Sequence, residues 1–320
     1  MAVQSEPLGT PLPEGLISQR PASLWRDTLG SILRQRSAIA GLFLLGILVS
    51  AAIFAGQLAT HDPLQSLIGI EQPPPGHFTI TRLGPCIHLL GCPASQPQHL
   101  LGLDGNGRDL WSRVIYGARV SLEIGFLTVG FAIIIGTFIG AVAGYAGGWA
   151  DNIMMRIMDV LLAFPALVLA ILIVTVVGTG LLQAQFAIGI VAIPVYARVM
   201  RGSVLSIKER DFVTASRALG ESSAGILFRR ILPNALTPLI VQGTLGIAGA
   251  VLDVAALSFL GLGAQPPTAE WGSMIGQERA AVFSAPHLIF APGIAIIITV
   301  LGLNLLGDGL RDALDPRLNR

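Results

Sequence analysis

The chain has 320 residues, of which 52% are hydrophobic and only 12% charged, with a formal net charge of +1. A soluble domain carries about 25% charged residues, so there is too little charge here to cover a globular surface, and the composition favours one integral membrane unit over two soluble domains. The near-zero net charge and the low aromatic content, 6%, exclude a nucleic-acid partner. Lys208 is the single lysine, and it stands in no glycine-rich phosphate loop, so ATP hydrolysis by this chain is excluded.

In chain order, residues 1–37 read as a cytoplasmic tail ending in an interfacial elbow helix. Over Ser23–Arg36, Trp25, Leu29, Ile32 and Leu33 share one helical face and the arginines lie elsewhere. The tail is Pro-rich and has no apolar h-region, so it does not read as a signal peptide. Ala38–Ala59 is the first uncharged run long enough to cross a bilayer as helix. Similar runs follow at Val120–Ala146, Met155–Val177, Leu182–Met200, Leu236–Leu262 and Leu288–Gly307. The expected fold is therefore an all-α membrane protein with six transmembrane helices. Its units are residues 38–60 as first span, 61–119 as an extracytoplasmic loop, 120–307 as a five-helix core and 308–320 as a tail. With the N-terminus inside, fifteen of the 20 Lys and Arg residues fall in inside segments, so both termini are expected in the cytoplasm.

The long outside loop holds the only two cysteines, Cys86 and Cys92, which fit either a disulfide or two free thiols. His77, His88 and His99 lie around them, but the spacing matches no standard zinc pattern, so no metal is expected. Gly136, Gly140 and Gly144 recur every fourth residue and leave one face of span two bare for close helix packing, within the chain or against another subunit. Pro165 and Pro194 are expected to kink spans three and four. Asp253 is the one acid expected near mid-membrane, and it reads more simply as a group lining a cavity than as a proton relay.

Between spans four and five, residues 201–234 form the largest inside loop and read as two short amphipathic helices. Phe212, Ala215 and Leu219 line one face of the first, which Gly220 ends. Ser222 caps the second and Pro233 is expected to terminate it. This loop resembles that of the inner-membrane permeases of ATP-binding-cassette importers, whose motif runs E-A-A, three residues, Gly, nine residues, I-x-L-P. Thr214, Ala215 and Ser216 stand at the E-A-A positions, Gly220 at the glycine, Arg230 at the Ile, and Leu232 and Pro233 at L-P. Four segments, two of them overlapping this loop, are similar to the C-type permease of the dipeptide, oligopeptide and nickel branch: Leu101–Leu122, Ala215–Gly220, Leu232–Gln242 and Leu257–Gly272.

The resemblance implies a permease subunit, not itself an enzyme, in an inner-membrane importer of di- or oligopeptides. It implies pairing with a B-type permease, two cytoplasmic ATPase subunits that bind ATP and Mg, and an extracytoplasmic substrate-binding protein, with no cofactor on this chain. Phe212, Thr214, Ala215, Ser216, Arg217 and Gly220 would form the coupling helix, and Leu232, Pro233 and Asn234 the turn into span five. Asp104, Arg108 and Asp109, just before span two, are expected either at an outer gate and binding-protein contact or in a structural segment where Asp and Arg pair with each other. A stand-alone ion-coupled transporter is the alternative; it needs intramembrane charges and repeats that the sequence does not show.

Overall fold

The structure, a computed structural model, describes residues 35–314. The expected elbow helix, apart from its last two residues, and residues 315–320 lie outside that range. Among the described residues the fold is all-helical, with only isolated β-bridges. This is the expected outcome for a backbone that must satisfy its own hydrogen bonds in lipid. The elements are α1 (Arg36–Ile53), α2 (Ala55–Leu58), α3 (Leu110–Ala146), α4 (Gly148–Leu162), α5 (Ala166–Val177), α6 (Leu181–Ile207), α7 (Asp211–Ala218), α8 (Ser223–Phe259), α9 (Trp271–Glu278) and α10 (His287–Leu314).

Five helices, α1, α3, α6, α8 and α10, are long and apolar enough to cross a membrane. The expected third span is corrected: it is two helices, α4 and α5, bent by 90°. Pro165 has φ −57° and ψ 127° and caps α5, so the chain breaks there instead of kinking. Pro194, by contrast, stays inside α6. The bent pair still passes from one end of the bundle to the other. Lys208 Nζ donates to the Gly144 carbonyl at 3.1 Å beside its start, and Gly180 N donates to the Leu262 carbonyl at 3.1 Å beyond its end. Counted this way the described residues hold six candidate spans.

The two ends differ. One, the α7 face, carries the turn at Gly147 and residues 208–222. The other, the disulfide face, gathers residues 59–109, the turn at Gly178 and residues 260–286. Gly136, Gly140 and Gly144 are buried against α6. A methyl group at Gly136 would lie 2.8 Å from the Ile193 carbonyl oxygen, one at Gly140 would run into that of Ala197, and one at Gly144 would lie 3.0 Å from that of Arg201. The stripe is thus the intramolecular seam of α3 and α6. A main core of Ile124, Val129, Ala132, Met200, Val204 and Leu257 fills the space around that seam, and a second, around Trp271, ties α1 and α10 to the disulfide face.

Candidate functional site

On the α7 face, α6 runs on to Ile207, so the loop proper is shorter than 201–234. The helix α7 ends in a complete Schellman turn. Gly220 N donates to the Arg217 carbonyl at 3.1 Å, Glu221 N to that of Ser216 at 3.1 Å, and Gly220 takes φ +80°, a left-handed conformation that favours glycine. Only Val213 of α7 is buried. The expected apolar face points away from the bundle: Phe212 is 40% and Leu219 88% exposed, and Thr214, Ala215 and Arg217 also face outward. Val213 anchors the helix over Ile226 and Ile231, and the rest of α7 protrudes as a knob with apolar side chains on its outer side.

The second short helix is corrected as well. Ser222 does cap it, its Oγ accepting from Gly225 N at 3.2 Å, but Pro233 does not end it. One helix runs from Ser223 to Phe259, with a wider π turn over Ile226–Ile231 just before the proline. A π turn relaxes the i to i−4 ladder where Pro233 has no N–H to give. Within the same turn, Asn234 Nδ2 donates to the Arg230 carbonyl at 2.6 Å. Leu232, Pro233 and Asn234 thus lie inside the continuous helix α8, which α7 joins through the short turn at residues 219–222.

The knob is also wired to the bundle through α6. Arg201 makes a two-bond fork onto Asp151 of α4 at 2.6 Å per bond, and Arg198 reaches Asp159 at 2.5 Å. With Lys208 on Gly144, these bonds tie the end of α6 to α3 and α4.

On the disulfide face, Cys86 and Cys92 are bonded, with Cα atoms 5.4 Å apart. Asp104, Arg108 and Asp109 are all buried and Asp104 pairs with Arg108, as in the structural one of the two expected readings and not as an exposed contact surface. Asp104 accepts from the backbone N–H of Asn106 and Arg108, each at 2.9 Å, and from Arg108 Nε at 2.7 Å. Asp109 is the N-cap of α3, accepting from Ser112 N at 2.9 Å. Arg113, in the same segment before span two, donates to the carbonyls of Pro63 at 2.9 Å, Pro267 at 3.2 Å and Thr268 at 3.3 Å. Glu278 accepts from Arg82 and Gly105, so α9 and the loop are laced together. Glu270, also buried, caps α9 through Gly272 and Ser273. Burial pushes its carboxyl up, against the pull of those two N–H bonds.

His99 lies between two acids, its Nδ1 3.1 Å from Asp109 and its Nε2 3.0 Å from Glu71. Burial alone would lower His99 and raise Asp109. The hydrogen bonds between them, with those of Glu71 and Ser112, reverse both shifts, leaving His99 above and Asp109 below its ordinary value. Asp253 is half-buried in α8 and makes no ion pair among the described residues.

Comparison with known proteins decides what these two faces belong to. A family model described as the binding-protein-dependent transport system inner membrane component matches residues 136–320. The chain belongs to this family of transport permeases. A second model, the N-terminal TM domain of oligopeptide transport permease C, matches residues 23–75. The dipeptide transport system permease protein DppC of Alkalihalophilus pseudofirmus is 41% identical over 317 residues, covering 98% of each chain. The glutathione transport system permease protein GsiD of Pectobacterium atrosepticum is 42% identical over 297 residues, 92% of this chain and 91% of its own. Among solved structures, an inward-facing MetNI methionine ABC transporter chain aligns with a TM-score of 0.52 at 21% identity, over 63% of this chain and 97% of that one, a likeness of fold alone. The permease is thus the membrane subunit of an ABC importer, and the ion-coupled alternative is set aside.

Proposed function

We propose that the chain forms one half of the translocation pathway of an ATP-driven importer for short peptides. What supports the cargo is the near-full-length similarity to permeases named for dipeptides and glutathione. What supports the coupling role is the protruding α7, with Val213 its only buried residue, joined to α8 by the short turn at residues 219–222. In this reading the α7 face is cytoplasmic, in keeping with the positive-inside bias, and the disulfide face meets the binding protein, in a compartment where disulfides persist.

The partners are a second, similar permease, two ATPase subunits that hold ATP and Mg, and the binding protein. Phe212, Thr214, Ala215, Arg217 and Leu219 present the docking surface for the ATPase. Closure of the ATPase pair would press α7, and the push would pass along α8 and, through Lys208 and Arg201, along α6, α3 and α4, so that the spans shift as rigid bodies. The test is purification from the native membrane in mild detergent, then reconstitution and uptake of labelled dipeptide. The proposal expects co-purifying ATPase subunits and ATP-dependent uptake. Recovery of the chain without them, with uptake driven by an ion gradient, would overturn it.

A further inference from the structure

Four polar side chains from distant parts of the disulfide face converge on one point. His61 follows α2, Glu71 and His99 lie in the loop, and Asp109 caps α3. The two imidazole rings sit 5.1 Å apart and are tilted by only 36°, so each spans the same two acids. Nδ1 of His99 is 3.1 Å and Nδ1 of His61 3.9 Å from Asp109 Oδ1, while the Nε2 atoms are 3.0 Å and 3.9 Å from the Glu71 carboxylate. One ligand atom from each of His61, His99 and Asp109 lies within 4.8 Å of the other two. Among the described residues, neither carboxylate is paired with an Arg or Lys: the arginines of this face are spent on Asp104, Glu278 and backbone carbonyls. Two acids whose only charge partners are imidazoles, with no fixed cation beside them, leave room for a bound cation to offset their charge.

We propose that His61, His99 and Asp109 form a binding site for a first-row divalent cation of zinc type, with Glu71 as the outer carboxylate. A tetrahedral zinc with bonds of about 2.0–2.1 Å spaces its ligand atoms by about 3.3 Å. The His99–Asp109 separation is already close to this, whereas His61, 3.9 Å from Asp109 and within 4.8 Å of both other donors, moves inward to complete the set. Asp109 offers Oδ1 to the site because Oδ2 is held by Ser112 N, Ser112 Oγ and Thr60 Oγ1. Glu71 would accept the Nε2–H of His99, fixing the tautomer that leaves Nδ1 free for metal, the carboxylate–histidine arrangement that orients metal ligands. His61 and Glu71 are partly exposed, so the fourth position opens to solvent and takes a water. The cysteines, being bonded to each other, are not donors. The bound ion would clamp the loop to the start of α3, independently of which cargo the importer carries.

The test uses the full chain with its partner subunits, carrying an affinity tag without histidine and stripped by chelator. Zn2+ is then titrated against a chromophoric chelator. The expected result is one zinc per permease, with affinity lowered by about 100-fold or more in His61→Gln and by about 10–100-fold in Glu71→Gln. His77→Gln, on an exposed residue of the same loop, should bind as the unaltered protein does. X-ray absorption of the zinc form should show two imidazoles, and zinc should raise the melting temperature of the unaltered protein but not of His61→Gln. Absence of stoichiometric zinc, or equal affinity in His61→Gln and the unaltered protein, would overturn the site.

Discussion

Arg113 shows what a single side chain does at the disulfide face. It is 1% exposed and binds carbonyls from both Pro63 and the 267–268 turn, so it joins the loop, α3 and the segment before α9. Removing it strands those carbonyls and weakens the hold on Asp104. Arg113→Leu is therefore expected to cost about 3 kcal/mol, in the range of broken buried pairs, and to lower the melting temperature of the purified permease. Arg113→Lys should rescue little, because the present bonds use two separate guanidinium nitrogens held in one plane, a spread that a single ammonium nitrogen does not reproduce. Glycines divide the same way. Gly140→Leu drives a side chain into the α6 backbone and should cost about 3 kcal/mol or more, whereas Gly130→Leu meets open space and should stay within about 0.5 kcal/mol. A melting series in one detergent compares the two directly.

At the scale of elements, α7 depends on its ends. Nothing lies within 4 Å of a methyl group added at Gly220, so any effect there comes from its positive φ. Gly220→Ala is expected to cost about 1 kcal/mol locally and to fray the Schellman turn. The permease should still assemble, with transport per ATP hydrolysed reduced several-fold. Equal coupling ratios in the two reconstituted proteins would refute the role given to that turn. The disulfide is an element of another kind: the two cysteines are six positions apart, a short loop whose closure contributes about 2 kcal/mol in the chain-entropy description. The double change Cys86→Ser with Cys92→Ser should raise hydrogen exchange over residues 84–99 and leave the amides of α3 and α6 protected.

For the whole molecule, the decisive feature is the exposed outer side of α7. A large apolar side chain that is 88% exposed, Leu219, gains nothing from this chain's own core, and in the proposed reading it belongs with Phe212 to the ATPase docking surface. Leu219→Asp should leave the melting temperature of the isolated permease unchanged while the ATPase subunits are lost on co-purification. Retention of the ATPase at normal yield would show that it docks elsewhere.

The sequence by itself determined the apolar runs and their order, the close-packing glycine stripe and the position of the α7 turn, because hydropathy over a bilayer's thickness and a glycine placed to end a helix are local signals. Helix ends were less legible: α3 begins at Leu110 and α6 runs to Ile207, since a helix can continue into water after its apolar run stops. Tertiary structure alone decided the rest. Pro165 breaks the chain while Pro194 does not, because only the surroundings determine whether a lost hydrogen bond bends a helix or is absorbed. The π turn lets Pro233 sit inside a span that a regular ladder would have ended. Val213, and not the Phe212 stripe, faces inward because the core lies on that side. His61 and His99 meet Asp109 only because the loop folds back on α3, a pairing across distant positions that no local pattern records.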